Sequence, residues 1–241
     1  MTRLSVNINK LATLRNARGG QNPDLVQWAI RIQEFGAEGI TIHPRPDERH
    51  IRRDDVRMLK EAVYKEYNIE GYPSREFLDM VIDVKPDQVT FVPDPPDVLT
   101  SNAGWNAIEQ KEFLKEAVSE MRSASIRTSI FMETDIEQIR AASETGTDRI
   151  ELYTEDYATK MALGDKAVIE SYRKAALCAK NNGMGVNAGH DLDLNNLNQL
   201  VAAIPWIDEV SIGHALVCDA LKYGMENTIN LYLRELRDSK S

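Results

Sequence analysis

Gly39-Ile40-Thr41-Ile42-His43-Pro44-Arg45-Pro46-Asp47-Glu48-Arg49-His50-Ile51 holds the pattern from which the rest of the chain is read. Its first part alternates apolar and polar residues at strand period, with β-branched side chains. The apolar pattern stops at His43, and the eight residues from His43 to His50 hold two His and two Arg. Pro44 and Pro46 hold this segment extended and out of a helix. A strand that delivers a histidine at its carboxyl end, followed by a stiff basic loop, suits an anionic substrate and proton transfer. The same composition also suits a solvated turn, so the remaining chain has to decide.

Upstream, residues 4–9 alternate as a first strand, and a polar Arg- and Gly-rich loop follows over 10–22. Pro23-Asp24 opens a helix with Leu25, Ala29 and Ile32 on one face, ended by Gly36. Downstream the alternation keeps returning. Strands are expected at 67–72, 88–92, 126–132, 149–153, 185–188 and 209–212. Helices are expected at about 54–65, from the Ser74 cap to 84, up to 123, and over 135–146, 166–182, 194–204 and 216–237. Eight strand-helix units at this spacing predict a (β/α)8 TIM barrel in a single domain, 1–241. A doubly wound open sheet is the runner-up, but Asn9-Lys10-Leu11-Ala12 lacks the Gly-rich turn such a sheet carries after its first strand.

Composition narrows the function classes. The net charge of -9 argues against a general nucleic-acid or anionic-membrane surface, while leaving room for small phosphorylated ligands held by local Arg and Lys. Cys178 and Cys218 fall in apolar, helical contexts and are expected as buried free thiols. The first residues enter a strand at once, without a signal-peptide pattern, and no apolar run is long enough for a bilayer. The expected location is cytoplasmic.

All four histidines, His43, His50, His190 and His214, fall at or just after predicted strand ends, the rim on which barrel enzymes build their sites. Glu70 and Glu151 lie inside predicted strands. Either alone could point outward to a helix lysine. Together, with histidines on neighbouring strands, they favour an inward acid-base set whose burial raises carboxyl pKa values. The closing segments Asn187-Ala188-Gly189-His190 and Ile212-Gly213-His214-Ala215 follow the seventh and eighth strands, where barrels commonly bind phosphate through backbone N–H groups. Those glycines could equally serve only to make tight turns. Four histidines and two glutamates could also hold a metal, although no His-Glu pair shows helical ligand spacing.

These residues resemble the pyridoxine 5′-phosphate synthase family of vitamin B6 biosynthesis. The likeness spans nearly the whole chain. It rests on Ala12-Thr13-Leu14-Arg15-Asn16-Ala17-Arg18-Gly19, the run from His43 through Arg45, Asp47, Arg49 and His50 to Ile51, Asn68-Ile69-Glu70, and the two Gly-His closings. It implies a (β/α)8 barrel, a transferase condensing 3-amino-2-oxopropyl phosphate with 1-deoxy-D-xylulose 5-phosphate to pyridoxine 5′-phosphate, phosphate and water. It also implies no metal or organic cofactor, a homo-octamer, and a closing loop after the fourth strand. By position it makes His43 and Glu70 proton acceptors, His190 a proton donor, and Glu151 a transition-state stabiliser. It makes Asn7, Arg18, Gly213 and His214 contacts to the amino ketone, and Arg45, His50 and Thr100 contacts to the deoxyxylulose phosphate.

The chain departs from the family's commonest pattern at three places. Asn9-Lys10 replaces an Asp-His pair, Asp191 replaces a glycine, and Pro93-Asp94-Pro95-Pro96-Asp97 replaces a basic run. Asn9, Lys10 and Asp191 are retained as candidate substrate-binding residues, with the Asp191 carboxylate expected to turn away from any phosphate. Two rivals remain: a metal-dependent barrel isomerase or aldolase acting on phosphorylated ketoses, and a binding protein without turnover.

Overall fold

Alternation along each strand sorts side chains into two sets. Leu4 and Val6, Ile40 and Ile42, Tyr67 and Ile69, Val89 and Phe91, Ile150 and Leu152, and Val210 and Ile212 are all buried on one side. They face a shell of helices, so the apolar core lies between sheet and helices. Removing each such side chain from water contributes roughly 1.5–3 kcal/mol. The computed structural model describes residues 1–93 and 103–238. In it eight parallel strands close a barrel in sequence order: β1 (Arg3–Asn7), β2 (Gly39–Ile42), β3 (Glu66–Gly71), β4 (Gln88–Phe91), β5 (Arg127–Met132), β6 (Arg149–Tyr153), β7 (Gly185–His190) and β8 (Glu209–Ile212). The last returns to the first, with Ser5 opposite Ser211. The expected (β/α)8 barrel is the observed fold.

The helices are α1 (Asn9–Asn16), α2 (Leu25–Glu34), α3 (Arg53–Ala62), α4 (Arg75–Val84), α5 (Lys111–Ser123), α6 (Ile136–Glu144), α7 (Glu155–Ala162), α8 (Val168–Asn181), α9 (Leu197–Ala203), α10 (His214–Tyr223) and α11 (Met225–Asp238). Side-chain caps set their starts: Asp24 accepts the Gln27 N–H, Ser74 the Phe77 N–H, and Asp135 the Gln138 N–H. Among the described residues no helix is long and apolar enough to cross a membrane.

Four expectations need correction. The stretch read as a polar loop over 10–22 begins with α1, because Leu11, Ala12 and Arg15 bury one face of an otherwise polar turn. The loop expected before the 166–182 helix contains α7, held by the buried Tyr157, whose hydroxyl donates to the Asn196 carbonyl at 2.7 Å. The single last helix is two, broken at Gly224, where φ is +80°. The cysteines are free, but Cys178, packed against the core from the edge of its helix's buried face, is half-buried, and Cys218, on the side of its helix away from the buried Leu216, is exposed.

Inside the barrel, polar side chains fill space that branched apolar residues commonly occupy. At the amino-terminal end Glu66 pairs with Arg3 at 2.5 Å and with Arg127, and Arg3 reaches Glu209 at 3.7 Å. Burial, then the neighbouring Glu66, pushes the Glu209 carboxyl well above the usual range. One layer higher, Ser5 and Thr41 share a hydrogen bond of 2.7 Å, Asn68 Nδ2 donates to Thr41 Oγ1 at 3.3 Å, and Thr90 Oγ1 donates to Asn68 Oδ1 at 3.1 Å. This chain ends at Glu151, 3.5 Å from Thr90 Oγ1. It fixes the strand register from within and presents Glu151 to the layer above.

Candidate active site

Parity along the strands decides which groups reach the carboxyl-end mouth. Asn7 on β1, His43 just past β2, Glu70 on β3 and Glu151 on β6 all line one cavity of about 690 Å³. Asn9, Lys10, Arg45, His50, His190, Asp191, Gly213 and His214 line it too. Arg18 is exposed beyond α1 and is not among the lining residues. Thr100, and with it most of the loop after β4, lies outside the described residues.

The start of α1 fastens the second strand. Asn9 Oδ1 accepts the His43 backbone N–H at 3.0 Å, and Asn7 Oδ1 accepts the Asn9 N–H at 3.0 Å. The Asn9 side chain therefore holds the strand end that carries His43. Asn7 Nδ2 donates to Glu70 Oε2 at 3.4 Å, and His43 Nδ1 lies 3.8 Å from that oxygen. Such a separation is too long for a hydrogen bond. Burial first, then Arg45, His50 and Arg49, holds the His43 pKa well below the usual histidine value. The nearby carboxylate does not offset them, so His43 is a neutral imidazole near pH 7 and its contact with Glu70 is not an ion pair.

The basic loop is a cationic wall. Arg45 is buried at 7% exposure, and Arg49 is paired with Asp47 at 2.7 Å. Burial, Arg45, Arg49 and Lys10 together push His50 down to about 4. His50 Nδ1 accepts the Ile51 N–H at 2.9 Å, which leaves the ring proton of the neutral form on Nε2. Arg15 secures this wall from behind. Fully buried, it forms a forked pair with Asp55 at 2.6 and 2.8 Å and donates to the His50 carbonyl at 3.1 Å.

On the opposite side, Glu151 is buried, and burial pushes its carboxyl up to about 7 against the smaller opposing effects of Thr90 and His190. Gly189 makes room for it: a Cβ there would stand 2.4 Å from Glu151 Oε1. His190 has φ +100°, a conformation costing about 1–3 kcal/mol outside glycine. Its Nδ1 is 2.5 Å from Asp191 Oδ2, and its ring meets Tyr153 edge-on at 5.0 Å. His214 opens α10, with Nε2 3.7 Å from Cys218 Sγ.

Thr13, Arg49, Val92, Phe131 and Ser211 also line the cavity without having been singled out as site residues. Phe131 and Ser211 were readable from strand parity, and Arg49 stood in the quoted loop. Thr13 was hidden by reading α1 as a loop. A second cavity of about 410 Å³ lies between α3 and α4 and shares His43 and Arg45, but its walls include Tyr72, Phe77 and Met80 and none of Glu70, Glu151 or His190. The chemistry belongs to the larger one. Among the described residues no three His, Cys, Asp or Glu side chains group as metal ligands, which leaves the metal-dependent rival without a ligand set there.

A closed barrel whose carboxyl-end mouth gathers imidazoles, carboxylates and guanidinium groups in one cavity is built as a barrel enzyme is. Residues 4–238 match the family model of the pyridoxal phosphate biosynthesis protein PdxJ. The chain is 59% identical over 237 residues to the pyridoxine 5′-phosphate synthase of Cytophaga hutchinsonii, covering 98% of this chain and 100% of that one. It is 57% identical to that of Phocaeicola vulgatus, with the same coverage. Among solved structures, phosphoribosylanthranilate isomerase from Pyrococcus furiosus superposes with a TM-score of 0.63 at 11% identity, covering 99% of this chain and 100% of that one. Tryptophan synthase from M. tuberculosis gives 0.65 at 12%, covering 98% and 93%. These two speak for the fold alone. The chain belongs to the PdxJ family of pyridoxal phosphate biosynthesis.

Proposed function

We propose that this protein is a pyridoxine 5′-phosphate synthase, joining 3-amino-2-oxopropyl phosphate to 1-deoxy-D-xylulose 5-phosphate by acid-base chemistry of its own side chains. The observation that carries the reading is the convergence of His43, Glu70, Glu151 and His190 on one cavity walled by Lys10, Arg45 and Arg49. Amine and ketone would first form an imine. Water and phosphate then leave, and a carbon-carbon bond closes the ring, each step moving protons.

The groups are suited to that work. His43, neutral at working pH, can accept a proton, and Glu70 beside it can accept another. Glu151, with its carboxyl near 7, can hold or release a proton at neutrality. His190 across the mouth would return protons to departing oxygen. The cations of the basic loop favour one phosphate, and the first N–H groups of α10, behind Gly213, favour the other. His50 and His214 supply polar contacts beside them. A homo-octamer goes with this reading.

Purified protein mixed with both substrates should generate the absorbance of pyridoxine 5′-phosphate, and omission of either substrate should abolish it. Product formed from the deoxyxylulose phosphate alone, or isomerisation of a ketose phosphate in its place, contradicts the reading.

A further inference from the structure

We propose that Asp191 is a positioning residue that holds His190 as a His-Asp dyad, fixing which ring nitrogen faces the cavity. Asp191 Oδ2 lies 2.5 Å from His190 Nδ1. A carboxylate offers only acceptors, so the hydrogen in this contact sits on Nδ1 and the lone pair of the neutral ring is left on Nε2. In that tautomer Nε2 can take up a proton and give it back, while the carboxylate stabilises the imidazolium that forms between the two events.

The backbone on both sides of His190 is built to keep the pair together. The Gly189 carbonyl accepts both the Thr154 N–H at 3.1 Å and the Thr154 hydroxyl at 2.7 Å. The Asp191 carbonyl accepts Asn196 Nδ2 at 3.1 Å, and Asn196 Oδ1 in turn accepts the Asp193 N–H at 2.9 Å. Between these two anchors His190 is held at φ +100°, a region that persists outside glycine only where the surroundings over-determine it. Tyr153 closes on the ring edge-on at 5.0 Å. The His190 backbone and ring orientation are thus fixed, and among the described residues Asp191 is the hydrogen-bond partner that sets the ring's tautomer. The dyad also accounts for a carboxylate on a wall meant for anionic ligands. Although Asp191 lines the cavity, its Oδ2 is engaged by an imidazole.

The kinetic part of the test rests on the proton-transfer role given to His190 above; the spectroscopic part does not. Protein labelled with ¹⁵N-histidine has four imidazoles, and the His190 signals are identified by their loss in His190→Gln. At a pH where the ring is neutral, wild-type His190 should show a protonated Nδ1 with its proton shifted far downfield. In Asp191→Ala the proton should move to Nε2. The same variant should lose about 10- to 100-fold in kcat, part of the 10²- to 10⁴-fold share of a general acid or base, with KM changed less than about threefold. Asp191→Glu should restore part of the kcat. A wild-type His190 protonated on Nε2 overturns the dyad whatever the kinetics show. A preserved tautomer shift with unchanged kcat keeps the dyad but overturns the catalytic role of His190. A rise in KM at constant kcat, with no tautomer change, makes Asp191 a substrate contact instead.

Discussion

Replacing Glu151 by glutamine should stabilise the protein in a way that depends on pH. Burial holds this carboxyl at about 7 in the folded state, against 4.5 when exposed. The folded chain therefore favours the protonated form. Its stability is fully present below pH 4.5 and is lost as pH rises toward 7. At 1.36 kcal/mol for each pH unit between 4.5 and about 7, the full penalty is about 3 kcal/mol. At pH 5 less than about 1 kcal/mol of it has developed, and at pH 8 nearly all has. Glutamine resembles the protonated acid in shape and carries no charge to desolvate. The difference in stability between Glu151→Gln and the wild type should therefore grow by about 2–3 kcal/mol from pH 5 to pH 8. Urea unfolding of both proteins at equal concentration across that range measures it. A difference that stays constant with pH would refute the buried, proton-holding carboxyl, and with it the role argued for Glu151.

Three further outcomes follow from the same geometry. Glu70→Gln keeps the shape beside His43 but removes a base, so kcat should fall roughly 10²- to 10⁴-fold. Near-normal turnover would make Glu70 a structural residue. Lys10→Ala should raise KM for the deoxyxylulose phosphate about tenfold with little change in kcat, since the ammonium is solvated and partly screened. A collapse of kcat at constant KM would make it a catalytic group. Arg15→Ala leaves Asp55 buried without its partner and should cost about 3–5 kcal/mol in urea unfolding. A loss under about 1 kcal/mol would show that the wall behind His50 stands without it.

The barrel was legible because its signal is periodic. Alternation in Gly39–Ile42 and its seven counterparts survives any choice of neighbours, and Gly36 marks the end of α2 as it should. Strand parity also carried most of the site, since His43, Glu70 and Glu151 each fall on the inward phase of their strands. What stayed hidden depends on contacts remote in sequence. The helix α1 has little amphipathic signal and is held by Arg15 against Asp55, forty positions away. The interior gave no apolar run, because Ser5, Thr41, Asn68 and Thr90 satisfy one another across four strands. The Asp191 carboxylate was expected to turn away from phosphate, but which group it turns to needed coordinates.

The most direct test of the account follows product and phosphate together in a single reaction. Enzyme treated exhaustively with chelator is mixed with both substrates, and pyridoxine 5′-phosphate and inorganic phosphate are measured over time. The account predicts undiminished turnover, with one phosphate released for each pyridoxine 5′-phosphate formed. Turnover lost to the chelator and restored by a divalent ion would contradict chemistry carried by His43, Glu70, Glu151 and His190 alone.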